Sequence, residues 1–276
     1  MSAVSPVPRI PPLAEVGRVT QAHVVVSEWT KLRSVRSTAW SLLVGFALTI
    51  LFPVLFAAVT ASHWSHMAPH ERADRHPLDI ALAGVNVSQL AIAVLGVLVI
   101  TAEYSTGMIR ATFTAVPTRL PVLWAKTAVF AVTGFVVTLP AVLIAFVASQ
   151  AILRGHHILQ ISFSAPGVAR SVIGGAVYVM LTGVLALTIG AIVRNTAGGI
   201  ATFAGIYFVI PPLMNILPSS WNNAISPYLP SEAGRQLFSL TQDAHSLSPL
   251  AGGLLLVGYC ALGLVIAAVL LVRRDV

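Results

Sequence analysis

Ser171-Val-Ile-Gly-Gly-Ala-Val-Tyr-Val-Met-Leu-Thr-Gly-Val-Leu-Ala-Leu-Thr-Ile-Gly-Ala-Ile-Val193 runs for 23 residues without one charged side chain and is bounded by Arg170 and Arg194. Its apolar residues are continuous, with no period-two alternation, so it reads as a buried helix and not a barrel strand. A bilayer core of about 30 Å takes about 20 helical residues, which makes this stretch one complete membrane span. Outward from it the pattern repeats. Charge-free stretches also occupy residues 37–70, 80–102, 127–153, 195–231 and 244–272, and the six together hold 173 of the 276 residues. The expected fold is therefore an all-α integral membrane protein with six transmembrane helices. Their positions are about Trp40–Val59, Ala81–Ala102, Val122–Ile152, Ser171–Val193, Ala197–Leu217 and Leu250–Val272.

Composition agrees. Charged residues make up 9% of the chain and hydrophobic residues 57%, with a mean hydropathy of +0.87, whereas a soluble domain carries about a quarter charged residues. A soluble core, a nucleic-acid-binding fold and a disulfide scaffold are excluded. The single cysteine, Cys260, lies in the last apolar stretch, as a small packing residue. Residues 1–12 are proline-rich without an apolar core, unlike a cleavable signal.

The placement of the net charge of +7 sets the expected orientation. Six spans put both termini on one side. That side collects eleven bases (Arg9, Arg18, Lys31, Arg33, Arg36, Arg110, Arg119, Lys126, Arg194, Arg273 and Arg274) against four acids, while the other side has five of each. Basic residues mark the cytoplasmic face, so both termini are expected there.

Residues 1–20 read as a disordered cytoplasmic tail, 21–38 as an amphipathic helix in the membrane interface, and 39–276 as the six-span domain. In the interface helix Val25, Trp29, Leu32, Val35 and Ala39 share one face, and Lys31, Arg33 and Arg36 sit near anionic lipid. Between the second and third spans, Met108, Ile109, Thr112, Phe113 and Val116 describe a short amphipathic helix of about three turns. Ser105 or Thr106 is expected to cap it and Pro117 to end it. The third stretch is long enough for a tilted or kinked span, in which Pro140 removes one helical hydrogen bond, and Pro211-Pro212 predicts a break or bend in the fifth. In the last loop, Ser231 to Leu240 reads as a capped short helix dipping back toward the membrane.

Much chemistry is absent. The spans carry no Asp, Glu, Lys, Arg or His in their central portions, unlike proton-coupled pumps and many ion-coupled carriers, and this excludes intramembrane hydrolysis by paired aspartates or a His-Glu-x-x-His zinc site. No phosphate-binding loop occurs around either lysine, Lys31 or Lys126, so no ATPase activity is expected of this chain. His63, His66, His70 and His76 lie near Glu71, Asp74 and Asp79, but Pro69 interrupts the helix that would align them, and no metal site is expected. A polar set, Asn86, Ser88 and Gln89 of the second span with Thr202 and Asn215 of the fifth, could line a substrate path or simply bond between helices.

Four segments resemble permeases of the ABC-2 type from actinobacteria. They are Glu28-Trp-Thr-Lys-Leu-Arg-Ser-Val-Arg-Ser-Thr38 before the first span, Glu103-Tyr-Ser-Thr-Gly-Met-Ile-Arg110 with Pro117-Thr-Arg119 and Lys126, Arg194-Asn-Thr-Ala-Gly-Gly-Ile200, and Tyr228-Leu-Pro-Ser-Glu-Ala-Gly234. The resemblance covers nearly all of the chain after residue 20. It implies the membrane subunit of an exporter in the bacterial plasma membrane, paired with a second permease, identical or related, and with two ATP-binding-cassette subunits that carry the ATP and magnesium. It also implies a coupling helix containing Glu103, Tyr104, Gly107, Arg110, Phe113, Pro117 and Arg119, and an interface helix with Glu28, Trp29, Lys31, Arg33 and Arg36. Met108 stands where many relatives have a small polar residue. An uncharged lining suits lipophilic or amphipathic cargo. The rival reading is a membrane scaffold or immunity-type protein that binds a ligand without transport.

Overall fold

The computed structural model describes residues 20–73, 75–116, 118–158, 160–242 and 245–273, all of them helix, turn or loop, with no strand among them. In chain order the helices are α1 (Gln21–Ser34), α2 (Arg36–His63), α3 (Pro69–Ala73), α4 (Pro77–Ser105), α5 (Met108–Ala115), α6 (Leu120–Gly155), α7 (Val168–Val193), α8 (Thr196–Ala204), α9 (Ile210–Met214), α10 (Ser219–Ile225), α11 (Pro230–Arg235) and α12 (Pro249–Arg273). Six helical stretches are long and apolar enough to cross a membrane: Arg36–His66, Pro77–Ser105, Leu120–Gly155, Val168–Val193, Thr196–Met214 and Pro249–Arg273. Each coincides with one charge-free stretch. The chain is a multi-pass, all-helical membrane protein.

The fourth span, α7, is the hub. Most of it is buried, and α4, α6 and α12 pack around it, while α2 lies against α4 and α6. Between α4 and α7 small residues remove side-chain bulk where the backbones meet. A Cβ added at Gly96 would stand 2.4 Å from the Gly183 carbonyl oxygen, and one at Gly183 would stand 2.6 Å from Ile92. Hydrocarbon competes with side chains for apolar contact, so close van der Waals packing through such residues has to hold a bundle of this kind together. The first, fifth and sixth spans are largely exposed along their lengths.

The two span prolines and the last loop resolve differently. Pro140 sits inside α6, which continues unbroken from Leu120 to Gly155. In the fifth span the disturbance lies upstream of Pro211-Pro212: α8 passes into a π-helical turn, Gly205–Val209, before α9. Two prolines supply no N–H to the carbonyls of Tyr207 and Phe208, and the ladder widens, the Ile210 N–H reaching back to the Gly205 carbonyl. In the last loop the helix is shorter than expected. Pro230, fixed at the right φ for a first turn, starts α11, and no side chain caps it, so Ser231 is not the cap.

Loop segment α11 does run alongside the spans. A Cβ at Gly234 would meet Tyr178 at 2.4 Å and Leu256 at 3.0 Å. Tyr178 lies roughly 15 Å along α7 from Val168 at 1.5 Å per residue, so α11 is wedged into the side of the bundle against α7 and α12.

Candidate functional site

At the end of the bundle that carries residue 20 and Arg273, three separate segments converge. The amphipathic stretch does not run continuously to Thr38. Helix α1 stops at Ser34, Val35 is extended (φ −81°, ψ 111°), and α2 begins at Arg36. This elbow turns α1 across the start of α6, where Gln21 donates to the Pro121 carbonyl at 3.1 Å. Val25, Val26, Trp29 and Val35 are left exposed, and the opposite face, with Val24 and Glu28, is buried.

Glu28 is buried because α4 and α6 offer it partners. Lys126 lies six residues inside α6, and Glu103 is near the end of α4. The Lys126 ammonium sits 2.5 Å from Oε2 of Glu28 and 2.8 Å from Oε1 of Glu103. Lys31, one turn beyond Glu28, stands 2.7 Å from Oε1 of Glu28 and 3.1 Å from Oε1 of Glu103. It also donates to Oγ1 of Thr112 in α5 at 3.3 Å. Glu28, Glu103 and Lys126 are 4%, 3% and 4% exposed. Two ammonium and two carboxylate groups therefore form a neutral, mostly buried cluster joining α1, α4, α5 and α6. Burial opposes the charge on Lys31, but the carboxylates of Glu28 and Glu103 outweigh it and hold this lysine above its ordinary range.

The chain has only two lysines among its sixteen strong bases, and both are here. An ammonium is a compact charge whose three N–H groups diverge, whereas a guanidinium is a planar fork suited to one carboxylate at a time. Bridging carboxylates that arrive from separate helices favours the former. Sequence reasoning named Lys126 within the segment that resembles a coupling helix but not among the candidate site residues. Its signal was the rarity of lysine together with a basic residue displaced into an apolar helix.

Around the cluster the expected coupling residues take varied places. Tyr104 lies under the Arg194 guanidinium, 5.1 Å from ring centre to Cζ, and Arg194 donates to the Leu270 carbonyl. Gly107 adopts φ +71° and forms the N-terminal boundary of α5. The expected caps are not used: Ser105 and Thr106 both donate back to the Ala102 carbonyl, satisfying the end of α4 instead. Phe113 is buried with the Arg119 guanidinium 5.4 Å above its ring, and Arg119 donates to the Leu271 carbonyl at 3.0 Å. Helix α5 has eight residues and ends at Ala115, before Pro117, which lies outside the described residues. Arg110 and Met108 are exposed on its outer surface, and Arg33 and Arg36 are exposed beside the elbow.

The polar set proposed for a path is not gathered into one lining. Gln89 is buried and accepts a hydrogen bond from the Tyr178 hydroxyl, while its amide donates to the Asn86 carbonyl. Ser88 is buried and bonds within its own helix to Val85. Asn86 and Thr202 are exposed on α4 and α8, and Thr202 donates to Gly198. Asn215 lies beyond the end of α9, 3.4 Å from the Asn222 amide. Interhelical or intrahelical bonding accounts for Ser88, Gln89 and Thr202.

Among the described residues no group of three or more His, Cys, Asp or Glu gathers that could hold a metal ion. Asp74 lies outside those residues. His76 accepts from the Leu78 amide and so begins α4, and His63 bonds Ser62 and the Val59 carbonyl. Cys260 is buried with its thiol on the Leu181 carbonyl, a packing role. Comparison with protein-family models and with curated proteins finds no match to this chain.

Proposed function

We propose that this chain is the permease subunit of an ABC-2 type exporter, working beside a second permease, identical or related, and driven by two cytosolic ATP-binding-cassette subunits. In this reading the end bearing α1 and α5 faces the cytoplasm of a bacterial cell, α5 is the coupling helix and α1 the interface helix. The cargo is lipophilic or amphipathic. The observation that supports it is the buried ion cluster. Thr112 of α5 is tied through Lys31 to α1, and through the two carboxylates to the end of the second span and the start of the third.

A partner pressing on the exposed side of α5, at Met108 and Arg110, would then move a packed unit and not a lone loop. Transmission through a contiguous packed element with two discrete arrangements is the physical requirement for coupling at a distance. The charge surplus on this face, the absence of a phosphate-binding loop and the four family-like segments agree with an energy source outside the chain.

Co-purification with a cytosolic ATP-binding-cassette ATPase from the same cell, followed by reconstitution into liposomes, tests the proposal. The expected result is a stable complex whose hydrolysis is stimulated by lipophilic cargo, and in which Glu103→Lys hydrolyses ATP without transport. Absence of any complex with an ATPase overturns it in favour of a non-transporting membrane scaffold.

A further inference from the structure

Beside the ion cluster, and lined in part by it, lies a cavity of about 110 Å³. Leu95, Leu98 and Val99 of α4 with Val129 of α6 form its apolar wall, and the four members of the ion cluster, Glu28, Lys31, Glu103 and Lys126, supply its charged lining. Val35 of the elbow and Ala102, both exposed, also line it, so it opens sideways between the α1–α2 elbow and the end of α4. An apolar cavity of about 150 Å³ holds a benzene ring, so this smaller one has room for a small head group and the first part of an alkyl chain.

The charged lining is incompletely satisfied. Oε2 of Glu103 is buried with no hydrogen-bond partner, although the residue is 97% buried. The Lys126 ammonium has three N–H groups and two acceptors, Glu28 and Glu103. The residue with a spare acceptor and the residue with a spare donor both line this cavity. A buried carboxylate oxygen without a partner is costly, and a group that both donates and accepts would relieve it.

Charge narrows the choice further. The cluster is already neutral, with two ammonium and two carboxylate groups. A charged head group would have to shed its water without gaining a counter-charge, which is strongly unfavourable. A hydroxyl carries no such cost and can both donate and accept. We propose that this cavity is a binding site for a neutral, hydroxyl-headed amphiphile, of the long-chain alcohol or acylglycerol class, entering with its head toward Glu103 and Lys126 and its chain leaving past Val35 and Ala102. The site shares Glu103 and Lys126 with the cluster to which the coupling role is assigned, and labelling of the purified chain tests it without an ATPase.

Photolabelling tests it, using the purified full chain in detergent and an octanol carrying a diazirine near its hydroxyl. Competitors of equal chain length and different head, 1-octanol, octylamine and octanoate, separate the chemistry of the head from simple partitioning. The expected result is adducts concentrated on Leu95, Leu98, Val99 and Val129, displaced by octanol about tenfold better than by either charged competitor, a 1.4 kcal/mol difference. Leu98→Trp, which fills the cavity without touching an ion, should abolish that labelling. Glu103→Gln leaves the cluster with one net positive charge, and octanoate should then become the best competitor. Equal competition by all three heads, adducts spread over bilayer-facing positions such as Val132 and Val136, or labelling unchanged in Leu98→Trp would each overturn the proposal.

Discussion

Lys126 places its ammonium 2.8 Å from the Oε1 of Glu103, 23 positions earlier in the chain, with both side chains 4% exposed. A pair so buried is not in itself strong evidence of stabilisation, because desolvating two ions offsets their attraction. What it does impose is a penalty for change. If one partner is lost, the other charges stay buried and uncompensated, so the pair specifies how α4, α6 and α1 must meet.

Lys126→Met should therefore destabilise the protein by about 3–5 kcal/mol, read as the midpoint of unfolding in a denaturing-detergent titration followed by helicity. Lys126→Arg should also be costly, since a planar fork cannot replace a point charge shared by Glu28 and Glu103. A double-mutant cycle with Glu103→Gln and Lys126→Gln should return a coupling of about 0.5–3 kcal/mol. Strict additivity would show that the two do not interact.

The six spans were legible because burial in hydrocarbon leaves a one-dimensional record: every charge is displaced to an end. Helix α5 was legible from the spacing of Met108, Ile109, Thr112 and Phe113. The cluster was not, because Glu28 and Lys31 look like the wet face of an amphipathic helix until the elbow at Val35 turns that face onto α6. No local pattern encodes a partner 98 positions away, the separation of Glu28 and Lys126. Capping failed for a related reason. Ser105 and Thr106 could serve either the helix that follows or the one that ends, and α4, long and packed, takes both hydroxyls.

Lys31 makes stability depend on alkaline pH. Its pKa is raised in the folded protein above the ordinary value of 10.5. The stabilisation it contributes is thus complete below pH 10.5 and is lost as pH climbs through the higher folded value. Melting of the purified protein should fall more steeply above pH 10.5 in the wild type than in Lys31→Met, which starts lower and has no ammonium to lose at this position. Parallel curves would remove Lys31 as the source.

Tyr178 and Gln89 test how much a single bond between spans contributes. Tyr178→Phe leaves the ring tilted against Phe238, 5.2 Å between centroids, and removes only the hydroxyl that Gln89 accepts from. Interhelical hydrogen bonds of this kind contribute about 0.6 kcal/mol on average, with about 1.7 the largest measured by double-mutant cycles. A loss in that range is expected in the same unfolding titration, and one above about 3 kcal/mol would mean that the hydroxyl organises more than one partner.

Gly96 and Gly258 offer a paired test of the packing argument on the same residue type. At Gly96 an added Cβ would sit 2.4 Å from the Gly183 carbonyl oxygen, an atom of the α7 backbone that cannot rotate away, and 3.1 Å from the Leu187 amide nitrogen. Gly96→Ala can be accommodated only if α4 and α7 separate. That shift would loosen the most buried pair of spans, at a cost on the order of the 1–3 kcal/mol typical of an overfilled core. At Gly258, in the middle of α12, nothing lies within 4 Å of the added Cβ. There Gly258→Ala should leave stability unchanged or raise it by up to about 1 kcal/mol through helix propensity. Unfolding titrations of both variants, with helicity and monodispersity checked first, should move in opposite directions. If Gly96→Ala is as well tolerated as Gly258→Ala, close backbone approach between α4 and α7 is not what holds the bundle together.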